Sequence, residues 1–194
     1  YVAAYLPRLV ENETIEKRTA FNRSQKLNYY EISDNLIRFW YRFIFDRQEE
    51  IALGLGDVLF DECKAEIDDF IAHGFEDVAI SFLTEQNGKG LLPYYYAPIR
   101  NYKVDNSKLG RSIELDGLAE GLGKNSNCLL VVECKYRKAP FSVAMLEQLK
   151  ESVSIFGGYT TIDYYLFSKS GFTPEIMKLS DSSLHFISLD SMFS

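Results

Sequence analysis

The sequence predicts an α/β fold in which a mixed sheet is flanked by helices, and three features carry that expectation. Strand-like Arg111–Ala119 is joined through turn-rich Glu120–Asn127 to a second strand-like run, Cys128–Arg137, which reads as an antiparallel hairpin. Apolar residues recur at helical spacing on either side of it, over Glu66–Leu83 and from Phe141 to about Phe156. Two more strands, Asp163–Ser168 and Leu184–Leu189, flank a short helix opening near Thr173-Pro174. The order helix, hairpin, helix, strand, helix, strand describes an α/β sandwich.

The 194 residues, 46% hydrophobic and 14% aromatic, hold enough core for one good domain and a smaller appendage. No apolar run nears the roughly 20 residues that cross a bilayer. The start, Tyr1-Val2-Ala3-Ala4-Tyr5, lacks the basic-then-apolar layout of a signal peptide, so a cytoplasmic protein without membrane attachment is expected. Cys63, Cys128 and Cys134 are odd in number and lack CxxC spacing, which argues for reduced thiols over a disulfide framework or zinc knuckle. Tyr1 in place of methionine suggests a fragment of a longer protein. A net charge of -7 weakens any grip on nucleic acid by bulk electrostatics, although carboxylates gathered at a cation site would contribute to that total.

In chain order, residues 1–33 read as the C-terminal part of a small helical domain, with extended stretches Arg8–Ile15 and Lys26–Ser33 joined by the polar segment Glu16–Gln25. Lys17, Arg18, Arg23 and Lys26 gather at that hairpin tip, either to touch phosphate as a wing does or as a solvated turn. Residues 34–65 read as a helical linker. Asp34 is a good N-cap, and Leu36, Ile37, Trp40, Phe43 and Ile44 follow at helical spacing, with Trp40 expected in the core. The polar stretch Asp46–Asp57 leads to further helix. Residues 66–194 then form the main domain. Glu76 lies beside the apolar stripe of its first helix, and Tyr94–Val104 is aromatic and extended before a polar break at Asp105–Gly110.

The chemistry concentrates in Glu114-Leu115-Asp116 and Glu133-Cys134-Lys135. Strand alternation puts Glu114 with Asp116 and Glu133 with Lys135, so several carboxylates and one amine can converge. Such a set suits phosphodiester hydrolysis, in which a hard cation held by carboxylates activates water and neutralises developing charge. Asp116 and Glu133 would hold the metal, with the Cys134 carbonyl completing the shell and its thiol on the opposite face with Leu130 and Val132. Glu76 would bind a second cation, and Lys135 would orient or deprotonate water. Gln148 positions substrate or water. Glu114 is an outer acid or a partner for Arg111. His73, one turn before Glu76, either contacts it or is a partly buried structural histidine, and His185 is read as incidental. On its own, a Glu-Cys-Lys segment is more readily an ordinary polar pair on a half-exposed strand; joined to Asp116 in a hairpin arrangement, it favours the catalytic geometry.

These residues support a family comparison. Glu76 on a helix, Asp116 and Glu133-Cys134-Lys135 on strands, and Gln148 on the next helix resemble the PD-(D/E)XK, or restriction-endonuclease-like, superfamily. The PD pair is represented by Leu115-Asp116. Within it the chain is similar to the C-terminal domain of archaeal-type P-loop ATPases, through Tyr30–Asp34, Ile37–Phe43, Phe75-Glu76, the Glu114–Asp116 and Glu133–Lys135 segments, and Phe167–Phe172. The resemblance implies a nuclease-like domain that uses Mg²⁺ or Mn²⁺ on DNA. It also implies an N-terminal ATPase module of the same parent chain and a winged-helix domain ending near residue 33. The chain itself has no GxxxxGK[ST] segment. A noncatalytic DNA-docking or assembly module of that ATPase is the alternative.

Overall fold

The computed structural model describes residues 2–21, 28–106 and 111–193. It divides into two compact units, residues 1–19 with 26–74 and residues 20–25 with 75–194.

The first unit holds α1 (Leu6–Glu11), β1 (Ile15–Thr19), β2 (Asn28–Ile32), α2 (Asn35–Phe43), α3 (Gln48–Ala52) and the start of α4 (Gly56–Gly88). Pro7 sits in the first turn of α1, where its missing N–H leaves no helical bond unmade, so Arg8–Glu11 is helix and not the expected extended stretch. The strand begins only at Ile15, after Glu13 takes a positive φ of 56°. β1 and β2 are antiparallel, with Ile15 opposite Ile32. Lys17 and Arg18 therefore lie within a strand and not at a hairpin tip, and Arg18 is tied to Glu16 and Glu31. Arg23 and Lys26 lie outside the described residues.

Asp34 caps α2 by accepting from the N–H groups of Leu36 and Ile37 at 2.7 and 3.0 Å. The inward stripe of this helix is half-buried Phe39 and buried Phe43, whose rings pack on Phe70 of α4. Trp40 lies one residue, about 100° of helix, round from Phe39. It is accordingly 37% exposed against Tyr41 and Phe45, a correction to its expected core position. Helical spacing found the helix and its buried Phe43, but included exposed Leu36, Ile37 and Trp40 and left out Phe39. Residues 46–57, read as connection, include α3.

The second unit is built on a five-stranded sheet, β3 (Arg100–Asn106), β4 (Arg111–Glu120), β5 (Cys128–Lys135), β6 (Thr161–Ser168) and β7 (Leu184–Ser188), in that spatial order. β4 is antiparallel to both β3 and β5, and β5, β6 and β7 are parallel, so the sheet is mixed, as expected. Parallel neighbours need crossovers. These are supplied by α5 (Val143–Val153) and the short α6 (Pro174–Met177). Phe141, expected on the α5 face, instead forms a bridge to Phe172 before the helix starts.

Each sheet face has its own core. Ile113, Leu115, Leu129, Val131 and Leu166 pack with Leu146, Leu149 and Val153 of α5. On the opposite face Leu130, Val132, Cys134, Tyr165 and Phe167 pack with Phe75, Ala79 and Leu83 of α4. β5 is covered on both faces, which is why Cys128–Val132 reads as an unbroken apolar run and not as an alternation. The charged residues Glu133 and Lys135 occur only at its C-terminal end.

Candidate functional site

That end of β5 lies beside an irregularity in β4. From Leu115 to Leu118 β4 advances three residues, whereas its partner β3 advances two, from Tyr102 to Arg100. The extra residue makes a β-bulge containing Asp116 and Gly117. A Cβ on Gly117 would meet Ile99 Cγ2 at 2.7 Å and Val132 Cγ2 at 2.9 Å, so glycine is what lets the strands close here. The β4–β5 ladder stops at Gly117 opposite Val132. Beyond it, the Cys134 N–H donates to Asp116 Oδ2 at 2.7 Å, a side-chain carboxylate taking the place of a ladder carbonyl. The bulge thus aims Asp116 across at the Glu133-Cys134-Lys135 segment.

Glu133 is mostly buried, its side chain 14% exposed, and its Oε1 accepts from Lys135 Nζ. Burial and then the charge of Asp116 push the Glu133 carboxyl up from 4.5 to about 7; Lys135 opposes this, and Glu76 adds to it. For Lys135, burial disfavours the charged form, but the field and hydrogen bond of Glu133 outweigh burial and raise its pKa. The Cys134 thiol faces the α4 core with Leu130 and Val132, as alternation required. Burial, Asp116, Glu76 and Glu133 all push it well up, leaving a poor nucleophile.

The structure therefore brings Glu76, Asp116, Glu133 and Lys135 into one electrostatic centre. Gln148 is exposed on α5. Glu114 is exposed and pairs with Lys103, its cross-strand neighbour, at 3.0 Å; the side chain of Arg111, the partner expected from sequence, lies outside the described residues. His73 is exposed rather than partly buried. Among the described residues, no three His, Cys, Asp or Glu side chains are placed so that they could hold a metal ion.

Sequence reasoning missed a second polar cluster. Asp163, 4% exposed, accepts from Tyr96 Oη at 2.7 Å, and His185 Nε2 stands 3.5 Å from its other oxygen. The His185 ring stacks on Tyr165 at 4.3 Å. Burial first, then Asp163, push the Tyr96 hydroxyl strongly up, so it stays a donor. His185 is thus built into a network and is not incidental. The available signal was Asp163 itself, a lone acid in an otherwise apolar strand.

Fold and site together define an α/β domain with a carboxylate and lysine centre where its central strand ends. The chain belongs to the DUF234 family, described as archaeal and bacterial proteins of unknown function, whose model matches residues 40–151. That span contains Glu76, Asp116, Glu133, Lys135 and Gln148. An uncharacterized protein of Methanocaldococcus jannaschii is 35% identical over 136 residues, which cover 69% of this chain and 28% of that protein. The chain thus spans little more than a quarter of that relative's length. No solved structure matches. No described helix is long and apolar enough to cross a membrane.

Proposed function

We propose that the second unit is a PD-(D/E)XK nuclease-like domain that hydrolyses DNA phosphodiesters with Mg²⁺ or Mn²⁺, as the C-terminal part of an archaeal-type ATPase. The observation that carries the reading is the β4 bulge, which turns Asp116 onto the Cys134 amide beside the Glu133–Lys135 pair. The succession α4, β3, β4, β5, α5, β6, with Glu76, Asp116 and Glu133-Cys134-Lys135 on the first helix and the second and third strands, supports it. An ATPase module would lie in chain of the kind that the longer relative has beyond the matched span.

The donor chemistry suits a hard divalent cation, though the side chains are not placed to hold one as they stand: Asp116 and Glu76 both raise the cost of ionising Glu133, and a cation would reverse that sign. Asp116 and Glu133 would hold it and Glu76 would assist; when bound, it supplies charge neutralisation and an acidified water. Lys135 stays protonated through its bond to Glu133 and donates toward charge developing on the phosphoryl oxygens. Asp116 is held in place by the Cys134 N–H. Val132 and Cys134 seal the α4 face beneath. One observation favours the alternative, a noncatalytic DNA-docking or assembly module: the acids are not already arranged for an ion, and Glu133 is engaged by Lys135.

Cleavage of single-stranded, duplex and branched DNA with Mg²⁺ or Mn²⁺ tests the proposal, with Asp116→Ala and Lys135→Ala as comparisons. Cation-dependent cutting that both substitutions abolish by 100-fold or more is expected. Cutting that neither cation nor substitution affects refutes it.

A further inference from the structure

Two loops leave the sheet at the C-terminal ends of β5 and β6, and hydrogen bonds join them. Lys169 N–H donates to Lys135 O at 3.1 Å, Ser170 Oγ to Arg137 O at 2.6 Å, and Phe141 N–H to Gly171 O at 2.9 Å. Gly171 takes a φ of 73°, the left-handed turn that lets the second loop fold back on the first. This join fixes where the side chains of the two loops go. Tyr136, the residue after Lys135, turns to the α4 face, where its ring lies 5.6 Å from that of Phe75, the neighbour of Glu76. Lys169 Nζ sits 4.0 Å from the centroid of the Tyr136 ring. Phe75, Tyr136 and Lys169 thus form a stack running outward from the acidic centre, with an exposed ammonium at its outer end. Arg137 and Lys138 are exposed just beyond Lys135; the Arg137 guanidinium reaches Met145 of α5, and its charge is felt at Lys135.

In a protein of net charge -7, the joined chain ends of β5 and β6 carry Lys135, Arg137, Lys138 and Lys169 within a few residues of the carboxylate centre, a local concentration of cations against the overall sign. An exposed cation over a tyrosine gains only about 0.5–1 kcal/mol, too little to explain a structural lysine but enough to bias where its ammonium points. We propose that Lys169, oriented by Tyr136, is a substrate-positioning residue that takes a backbone phosphate of a nucleic-acid strand next to the phosphate at the carboxylate centre. The contact is to backbone and carries no sequence preference. It rests on the phosphodiester reading above for the identity of the strand.

The test uses the whole chain carrying Asp116→Asn, which separates binding from cutting, and fluorescein-labelled single-stranded and duplex oligonucleotides of mixed sequence. Affinity is titrated against salt with Lys169 intact and with Lys169→Ala, Lys169→Gln and Lys169→Arg. Loss of one phosphate contact lowers the slope of log affinity against log salt by about one. We expect that change with Ala and with Gln, a several-fold weaker affinity at fixed salt, and recovery with Arg. Gln keeps most of the length of the side chain without its charge, so a packing defect in Ala does not decide the outcome. With Asp116 restored, Lys169→Gln is expected to raise KM several-fold and leave kcat within about twofold. Unchanged slopes and affinities in both charge-removing variants overturn the contact, and leave the hydrolytic reading standing if Asp116-dependent cutting persists. Altered slopes in a protein that cuts no DNA overturn the hydrolytic reading and support the contact. Absence of any binding overturns the contact, and together with absence of cutting by the unaltered chain it overturns the hydrolytic reading as well.

Discussion

Asp116 does two things at once: its Oδ2 satisfies the Cys134 amide, and its charge faces Glu133. Removing the acceptor and removing the charge are therefore separable. Asp116→Ala leaves the Cys134 N–H without its partner and is expected to cost about 1–3 kcal/mol in urea unfolding. Asp116→Asn keeps an acceptor and is expected to cost less than half as much, while losing any cation-dependent activity. Equal stabilities for the two variants would show that the bond contributes nothing. Glu133 makes a second prediction. Its carboxyl is raised from 4.5 to about 7, so between those values the folded chain holds a proton that the unfolded chain has released. Stability through this group then falls as pH rises across that window. Lys135, raised above its ordinary 10.5, acts at the other end, and its contribution is lost only as pH climbs past that value. In chelator, the difference in urea midpoint between the chain and Glu133→Gln should change across pH 4.5–7, in the direction that favours Gln at pH 7. A constant difference refutes the assignment. Both acids were legible in the sequence as residues of a site, but their relation was not. Alternation described a regular strand, whereas a bulge that depends on the pairing of β3, β4 and β5 decides where Asp116 points.

At the scale of elements, the bulge depends on Gly117 as much as on Asp116. Gly117→Val brings a branched side chain into Ile99 and Val132, whose methyl groups already lie 2.7 and 2.9 Å from a bare Cβ. Overpacking of this kind typically costs about 1–3 kcal/mol. Here it should also open the β4–β5 ladder, so that the amide of Cys134 loses hydrogen-exchange protection in Gly117→Val while those of β6 keep theirs. Uniform protection in both strands would mean that the bulge is not held by this contact. Long periodic elements such as α4 and the apolar β5 were readable from local residues, because their signals lie within one segment. The Tyr96–Asp163 bond joins residues 67 apart in sequence, and no local pattern announces it. The same holds for α2, where several apolar residues share helical spacing and only the position of Phe70 selects Phe39 and Phe43 for burial.

For the molecule as a whole, a cation that binds only the folded chain must stabilise it by mass action. The gain is about 2.7 kcal/mol at a free concentration 100 times Kd. A chain of net charge -7 also attracts cations without a site, so ionic strength is matched with KCl and the effect is compared with the doubly neutralised chain, Asp116→Asn with Glu133→Gln. The choice of probe follows from the two units. Trp40, the single tryptophan, lies in the first of them, so its fluorescence reports that unit and not the one carrying the acids. Unfolding need not be two-state across such a division, and one midpoint would mix the two responses. Hydrogen exchange at Leu129–Val132 follows the second unit directly, since these residues are the buried centre of its sheet. Saturating Mn²⁺ is expected to slow exchange there by about 100-fold, the ratio equivalent to 2.7 kcal/mol, in the unaltered chain and to leave the double variant unchanged. The Trp40 signal should move less than the second unit does. Equal slowing in both chains would place the cation on the diffuse negative field and remove the carboxylate centre from consideration as a metal site.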